Sequence, residues 1–377
     1  MSMSRIAIVA PMKAWGGIES TIVPLCDEFV DQGLIVDLLL PRGGEVPYPE
    51  KLNRQVNVVD LNSGSKIATA FKMVAYIRQE EPDAILAAKD HSIKSALLAR
   101  RFCRHKPRVV AKLTNHQSTI LRRRLKRILA FWAYPYADRF VAVSEGVKED
   151  FVETFGVDRS RISVIYNPVI TRDFPSRAAA RLENDRSEVQ VPLIIAAGRL
   201  AWQKGFDVLV DAFWQFRKSR DGKLIILGEG AERAVIEAQI EKRGLTGDVE
   251  LRGYVADPVP WMARASLFVL SSRHEGLGNV LVEALAAGAP VVSTDCPSGP
   301  REILEDGKLG QLVPVDDVEA LADAMERTIN HPPPAEERER SLERFRSGPV
   351  ARQYLETMGL LESAADAPDK PHEGDTT

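Results

Sequence analysis

Cysteine is nearly absent. The 377 residues contain three, Cys26, Cys103 and Cys296, spaced far apart. No CxxC pair and no histidine at metal-ligand spacing accompanies them. That pattern argues against a disulfide framework or a zinc site and for a reducing compartment. No apolar run approaches the roughly 20 residues of a membrane-spanning helix. The first stretch, MSMSRIAIVAPM, is too short and too strand-like for a secretory signal. Two nucleotide signatures are also missing. No strand leads into GxGxxG with an acid about 20 residues on, and no loop ends in Gly-Lys-Ser/Thr, so neither a nicotinamide dehydrogenase nor a Walker A site is supported. An excess of one charge is missing overall, since the net charge is −3, but not locally. Residues 1–170 carry 25 Lys+Arg against 18 Asp+Glu, and the remainder 25 against 35. A basic half followed by an acidic half points to two modules facing different partners. No nucleic-acid-binding module accompanies the basic half, and nucleic acid is not an expected partner.

What is present fits two domains, each with its own core: the chain is 45% hydrophobic and 27% charged. Apolar runs read as buried strands at 5–11, 35–41, 56–61, 84–88, 108–113, 139–144 and 162–168. Helix-length segments such as TIVPLCDEFVDQG and SIKSALLARRFCR lie between them. Continuous apolar strands alternating with helices predict a parallel sheet covered on both faces. The pattern stops over 171–190, a polar stretch that reads as the inter-domain linker. It resumes with strands at 191–200, 222–228, 249–255, 266–272, 290–294 and 311–315. The fold class is therefore α/β, with two doubly wound Rossmann-like domains at 1–170 and 171–362 facing a cleft. A polar, proline-containing tail at 363–377 is expected to be disordered.

In open α/β sheets ligands bind beyond the carboxyl ends of the strands, so the loops after strands are where chemistry belongs. Three stand out. WGGIES (15–20) follows the first strand; Gly16 and Gly17 let backbone N–H groups approach an anion at a helix start, or make a plain turn. GRLAWQKGFDVL (198–209) places Arg199 at a strand end and Lys204 before a helix. A planar fork and a point charge there can clamp a diphosphate, or simply face solvent. HEGLGNVLVEAL (274–285) brackets a glycine-rich turn with Glu275 and Glu283. The helix start near Asn279 aims free N–H groups at whatever the loop holds, and carboxylates accept hydrogen bonds from sugar hydroxyls. A nucleotide-sugar supplies both phosphate and hydroxyls.

Glu275 and Glu283, with seven residues between them, resemble the E-x7-E motif of retaining GT-B-fold glycosyltransferases of the family 4 type. GRLAWQKGFDVL, WGGIES, IILGEG (225–230) and LRGYV (251–255) resemble further elements of that family, in family order from about residue 5 to 330. The resemblance implies a GT-B fold and sugar transfer, with retention, from a nucleotide-sugar to a glycan or lipid-linked glycan acceptor. Cell-surface polysaccharide or lipopolysaccharide synthesis is the context it implies. Arg199 and Lys204 would neutralise the leaving diphosphate, and Glu275 would hold donor-sugar hydroxyls. Leu277, Gly278 and Asn279 would support sugar and phosphate through backbone amides, and Glu283 would hold the ribose. Tyr254 and Val255 would read the base edge, Gly17 would bring its amide from across the cleft, and His116 would face the donor sugar. The chain has no D-x-D motif, so no metal and no cofactor are implied; the donor is a co-substrate, a UDP-sugar favoured over a GDP-sugar.

The segment 120–132 combines Arg122, Arg123, Arg124, Lys126 and Arg127 with leucines, Phe131 and Trp132. It suits either an anionic membrane surface or a packed helix with a solvated basic face. The expected location is the cytoplasm, with room for peripheral contact on the inner face of the cytoplasmic membrane. A nucleotide-sugar epimerase of similar two-domain architecture is the alternative. A last helix near 350–361 is expected to return to the N-terminal domain.

Overall fold

The computed structural model describes residues 3–12, 16–41, 46, 49–116, 131, 133–180, 191–334 and 336–361. The segment 120–132, apart from Phe131, and the tail 363–377 lie outside them. So do residues 181–190 of the expected linker.

The chain forms two parallel sheets. The first contains β1 (Arg5–Val9), β2 (Ile35–Leu40), β3 (Asn57–Asp60), β4 (Ala84–Ala88), β5 (Arg108–Leu113), β6 (Arg139–Ala142) and β7 (Ile162–Val164), in the order β3-β2-β1-β4-β5-β6-β7. The second contains β8 (Leu193–Ala197), β9 (Lys223–Leu227), β10 (Val249–Gly253), β11 (Leu267–Leu270), β12 (Val291–Thr294) and β13 (Gln311–Val313), in the order β10-β9-β8-β11-β12-β13. Both orders are those of a doubly wound sheet. The topological switch points lie between β1 and β4 and between β8 and β11, where such sheets open a crevice.

Several strands are shorter than their apolar runs. Pro11, Pro168 and Pro314 end the runs at 5–11, 162–168 and 311–315. Proline has no N–H for the next ladder bond, so pairing stops before it. The run at 56–61, read as buried, sits at the sheet edge as β3, with Val58 46% exposed. An apolar run alone does not distinguish a central strand from an edge one.

The stretch 171–190 is not wholly irregular. It contains the helix Phe174–Ala178, whose Arg177 makes a two-pronged contact with Asp257 of the second domain, at 2.8 Å for each bond. The last helix, Ser347–Met358, packs against the helix Glu19–Asp31 of the first domain. Its Val350, Ala351, Tyr354, Leu355 and Met358 share one core with Ile6, Ile8 and Leu38. Where the chain crosses back, Ile170 and Arg346 pair as a bridge: Ile170 N–H donates to Phe345 O at 3.0 Å, and Ser347 N–H to Ile170 O at 3.0 Å.

Candidate active site

The site is assembled at the β8/β11 switch point. After β8 the chain turns through Gly198 and Arg199 into a short 3-10 turn, Trp202–Lys204, which Gly205 closes in the left-handed region at φ 62°. A side chain at Gly205 would place its Cβ 2.1 Å from Ser271 O. Only glycine lets the two loops lie this close. Ser271 Oγ donates to Lys204 O at 2.9 Å, and Gln203 Nε2 donates to His274 O at 2.8 Å. The two loops therefore form one unit, and Lys204 Nζ meets Glu275 Oε1 at 2.6 Å. Ser272 Oγ donates to the same carboxylate oxygen at 2.7 Å. Glu275 is buried, at 9% exposure, so its orientation is fixed by these two donors.

Arg273 bolts this unit together, and the sequence reading missed it. It grips Asp207 with two bonds, at 2.9 and 2.7 Å, reaches Asp316 at 2.7 Å, and lies over the Trp202 ring at 4.8 Å. Arg199, which directly follows the turn after β8, is exposed and makes no hydrogen bond or ion pair among the described residues. Leu277 is buried, and Gly278 (φ 97°) starts the helix Asn279–Ala286 without a side-chain cap. The amides at the helix start thus lack a side-chain acceptor and carry the positive end of the helix dipole.

Glu283 lies in the second turn of that helix. Burial pushes its carboxyl up to about 7; Arg177 draws it down and Asp257 pushes it up. The carboxylate makes no hydrogen bond or ion pair among the described residues, an arrangement suited to accepting from a ligand's hydroxyls. Tyr254 and Val255 follow β10 at the sheet edge, and Tyr254 is 52% exposed. Their strand leads directly to Asp257, so the Arg177–Asp257 pair, Glu283 and the Tyr254–Val255 backbone share one end of the site.

The N-terminal domain closes the other side. Gly276 is pressed against the loop after β5: a Cβ there would lie 2.0 Å from Thr114 O. Ser144, which caps the helix Glu145–Phe155 through Val147 N–H, also donates to Gly276 O at 2.7 Å. Glu302 reaches across from the second domain and accepts the N–H groups of Glu145 (2.9 Å) and Gly146 (3.1 Å). Ser298 and the short helix Pro300–Ile303 therefore form part of the domain contact. His116 lies at this contact, its Nε2 hydrogen-bonded with Ser298 Oγ and its Nδ1 3.4 Å from Asp150 Oδ1. Asn167 Nδ2 donates to Asn279 Oδ1 at 2.8 Å, and Lys112 Nζ donates to Asn167 Oδ1 at 3.1 Å. A path of hydrogen bonds thus leads from β5 to the first residue of the Glu283 helix. Gly17 is exposed with open space around its Cα, at the uncapped start of the helix Glu19–Asp31.

Two facing doubly wound domains, with cations, a carboxylate pair and a helix start at their junction, define a GT-B fold. Family models match on both sides of it: "Glycosyltransferase Family 4" over residues 15–173 and "Glycosyl transferases group 1" over residues 191–331. The chain belongs to this family of GT-B glycosyltransferases. It is 30% identical, over 60% of its length, to a Campylobacter jejuni protein named N-acetylgalactosamine-N,N'-diacetylbacillosaminyl-diphospho-undecaprenol 4-alpha-N-acetylgalactosaminyltransferase. It is 36% identical, over 37% of its length, to a Rhizobium meliloti lipopolysaccharide core biosynthesis glycosyltransferase. The alignments span 61% and 39% of those two relatives' own lengths. Among solved structures, the Anabaena protein HepE in complex with UDP superposes with a TM-score of 0.79 at 22% identity, covering 95% of this chain and all of the other.

Proposed function

We propose that the protein transfers a sugar, with retention and without a metal, from a nucleotide-sugar to a glycan or lipid-linked glycan acceptor in cell-surface polysaccharide or lipopolysaccharide synthesis. The observation that carries this reading is the 2.6 Å contact between Lys204 and the buried Glu275, with an unpaired Arg199 on the same loop as Lys204 and an uncapped helix start just after Glu275. Cation, carboxylate and amide stand together where a sugar diphosphate needs all three. In support, the Campylobacter relative is named for a diphospho-undecaprenol-linked substrate and the Rhizobium relative for the lipopolysaccharide core. HepE was solved with UDP and with UDP-glucose, which favours a UDP-sugar donor, with a GDP-sugar as the second choice.

In this reading Arg199 and Lys204 hold the diphosphate and stabilise the negative charge that develops on it as the bond to the sugar breaks. Those two cations do the work that a metal does elsewhere, and no cofactor is needed. Glu275 holds sugar hydroxyls, and Glu283 holds the ribose. The acceptor hydroxyl oxygen bonds to the anomeric carbon on the face from which the phosphate oxygen departs. That oxygen keeps the bonding electron pair and takes the acceptor's proton. His116 and Gly17 face the reacting end from the N-terminal domain.

The test is transfer from a panel of UDP-, GDP- and ADP-sugars by wild type, Glu275→Ala and Arg199→Ala, with thermal shift reporting donor binding. Transfer at wild-type rates in both variants would remove the site assignment. Turnover of the donor to an epimer without acceptor would favour the epimerase reading, which no present observation supports.

A further inference from the structure

His116 is held from two sides. Its own loop follows β5 of the first domain. Its Nε2 is hydrogen-bonded with Ser298 Oγ, which comes from the second domain, in the loop after β12. Its Nδ1 faces the Asp150 carboxylate at 3.4 Å, on the helix Glu145–Phe155. The Asp150 side chain is only 9% exposed, so little water screens its charge. A carboxylate beside Nδ1 favours the tautomer with its proton on that nitrogen. Nε2 is then the acceptor, and the Ser298 hydroxyl donates to it.

The fold departs from local preference around this one hydrogen bond. Ser298 stands at φ 68°, in the left-handed region that a residue with a Cβ avoids. Gly146, in the first turn of its helix, leaves the room that Ser298 Oγ fills, since a Cβ there would overlap that oxygen. Gly299, at φ 90°, is pressed against Leu277 O, where no Cβ fits. A glycine at position 298 would take up φ 68° without strain, but it would carry no hydroxyl. Strain kept for a polar side chain at a cleft points to function.

The neighbours of Ser298 tie it to both halves of the site. Glu302 accepts the N–H groups of Glu145 and Gly146, which joins the Ser298 loop to the first turn of the helix that carries Asp150 in its second. Cys296, in the same loop as Ser298, lies within electrostatic reach of Glu275 and Lys204.

We propose that Asp150 and Ser298 are positioning residues for His116, Asp150 setting its tautomer and Ser298 its rotation. The two act from opposite domains. The imidazole therefore has its working orientation only while the second domain lies against the first. Closure of the cleft and orientation of the group that faces the reacting end become one event. The inference rests on the proposed transfer reaction and on the place of His116 in it.

The test is steady-state transfer by wild type, Ser298→Gly and Asp150→Asn, with melting temperatures and imidazole NMR on the same proteins. Ser298→Gly removes the hydroxyl and the left-handed strain together. Its kcat is expected to fall about ten- to a hundredfold with donor KM within about twofold, the pattern of a misoriented group that does not bind the donor. Its melting temperature is expected to stay close to the wild-type value, because the relieved strain offsets the lost hydrogen bond. Asp150→Asn can turn an amide N–H toward Nδ1, which favours the other tautomer. Long-range proton–nitrogen spectra, with the His116 signal assigned by its loss in His116→Asn, are expected to show the proton on Nδ1 in the wild type and on Nε2 in Asp150→Asn. The same variant is expected to lose kcat to a similar extent. An unchanged kcat in either variant overturns the proposal, as does a wild-type His116 that carries its proton on Nε2. A fall in kcat matched by a lower melting temperature or a higher donor KM assigns these residues to holding the domains together and also overturns it. A wild type inactive with every donor of the panel removes the transfer reading and this inference with it, whereas an active wild type with active variants removes this inference alone.

Discussion

Replacing Lys112 by methionine is expected to change the stability of the protein with opposite signs at low and high pH. Lys112 is 2% exposed near the end of β5, and its ammonium has two neutral partners, Asn167 Oδ1 at 3.1 Å and the Tyr354 hydroxyl. No carboxylate offsets its burial, which lowers its pKa from 10.5 to about 7. Charging the group in place therefore costs on the order of 4–5 kcal/mol, at about 1.4 kcal/mol per pH unit. Methionine removes that cost, loses two hydrogen bonds worth about 1 kcal/mol each, and leaves Asn167 Oδ1 without this donor at a further cost of about 1–3 kcal/mol. Near pH 6 the balance favours methionine by on the order of 1 kcal/mol. The unfolded chain keeps the proton up to 10.5 and the folded chain only up to about 7, so the wild type gains stability as pH rises through that interval. Above it the lysine is neutral in both states, and methionine becomes the less stable residue by about 3–4 kcal/mol. Urea denaturation of both proteins at pH 6, 8 and 10.5 reads this directly, because titrations elsewhere in the chain cancel in the comparison. A stability difference that is flat with pH refutes the burial argument.

Two further perturbations bear on the cleft. Gly276→Ala places a methyl group 2.0 Å from Thr114 O and holds the domains apart. Transfer is expected to fall about a hundredfold, with little change in melting and a larger radius of gyration by small-angle scattering. An unchanged rate and radius would show that this contact does not accompany turnover. Because Glu283 titrates near 7 and accepts hydrogen bonds best when ionised, the donor KM is expected to rise as pH falls through that value. Glu283→Gln is expected to give a high KM that is flat with pH, and Arg177→Met to move the wild-type midpoint upward, since Arg177 favours the ionised form. Parallel KM profiles in all three proteins would separate Glu283 from the ribose.

The places of Arg199, Lys204 and Glu275 in the fold were legible in the sequence because these residues obey local rules. Arg199, Lys204 and Glu275 follow apolar strands, stand beside glycines and precede helices, so one strand–loop–helix unit at a time suffices to place them. The sheets were legible for the same reason, apart from the edge position of β3, which depends on which strands are neighbours. The contacts between the two domains were not legible. Ser144, Ser298 and Glu302 matter because the opposite domain lies against them, and neither periodicity nor spacing encodes that. Glycine gave the one usable hint: Gly146 sits in the first turn of a helix, where glycine is a poor choice, and a Cβ there would lie 2.4 Å from Ser298 Oγ. Arg177 was hidden differently, in a stretch whose polarity read as linker although its helix is tied to Asp257.

The return of the last helix to the first core has a consequence for how such enzymes can be recombined. The first domain is not one continuous length of chain: it needs Ser347–Met358 to cover Ile6, Ile8 and Leu38. A chimera that exchanges only the first half with a relative would pair one protein's inner wall with another's outer one. An exchange of the second domain should instead be cut twice, near Ile170 and near Arg346, where the two crossings lie side by side.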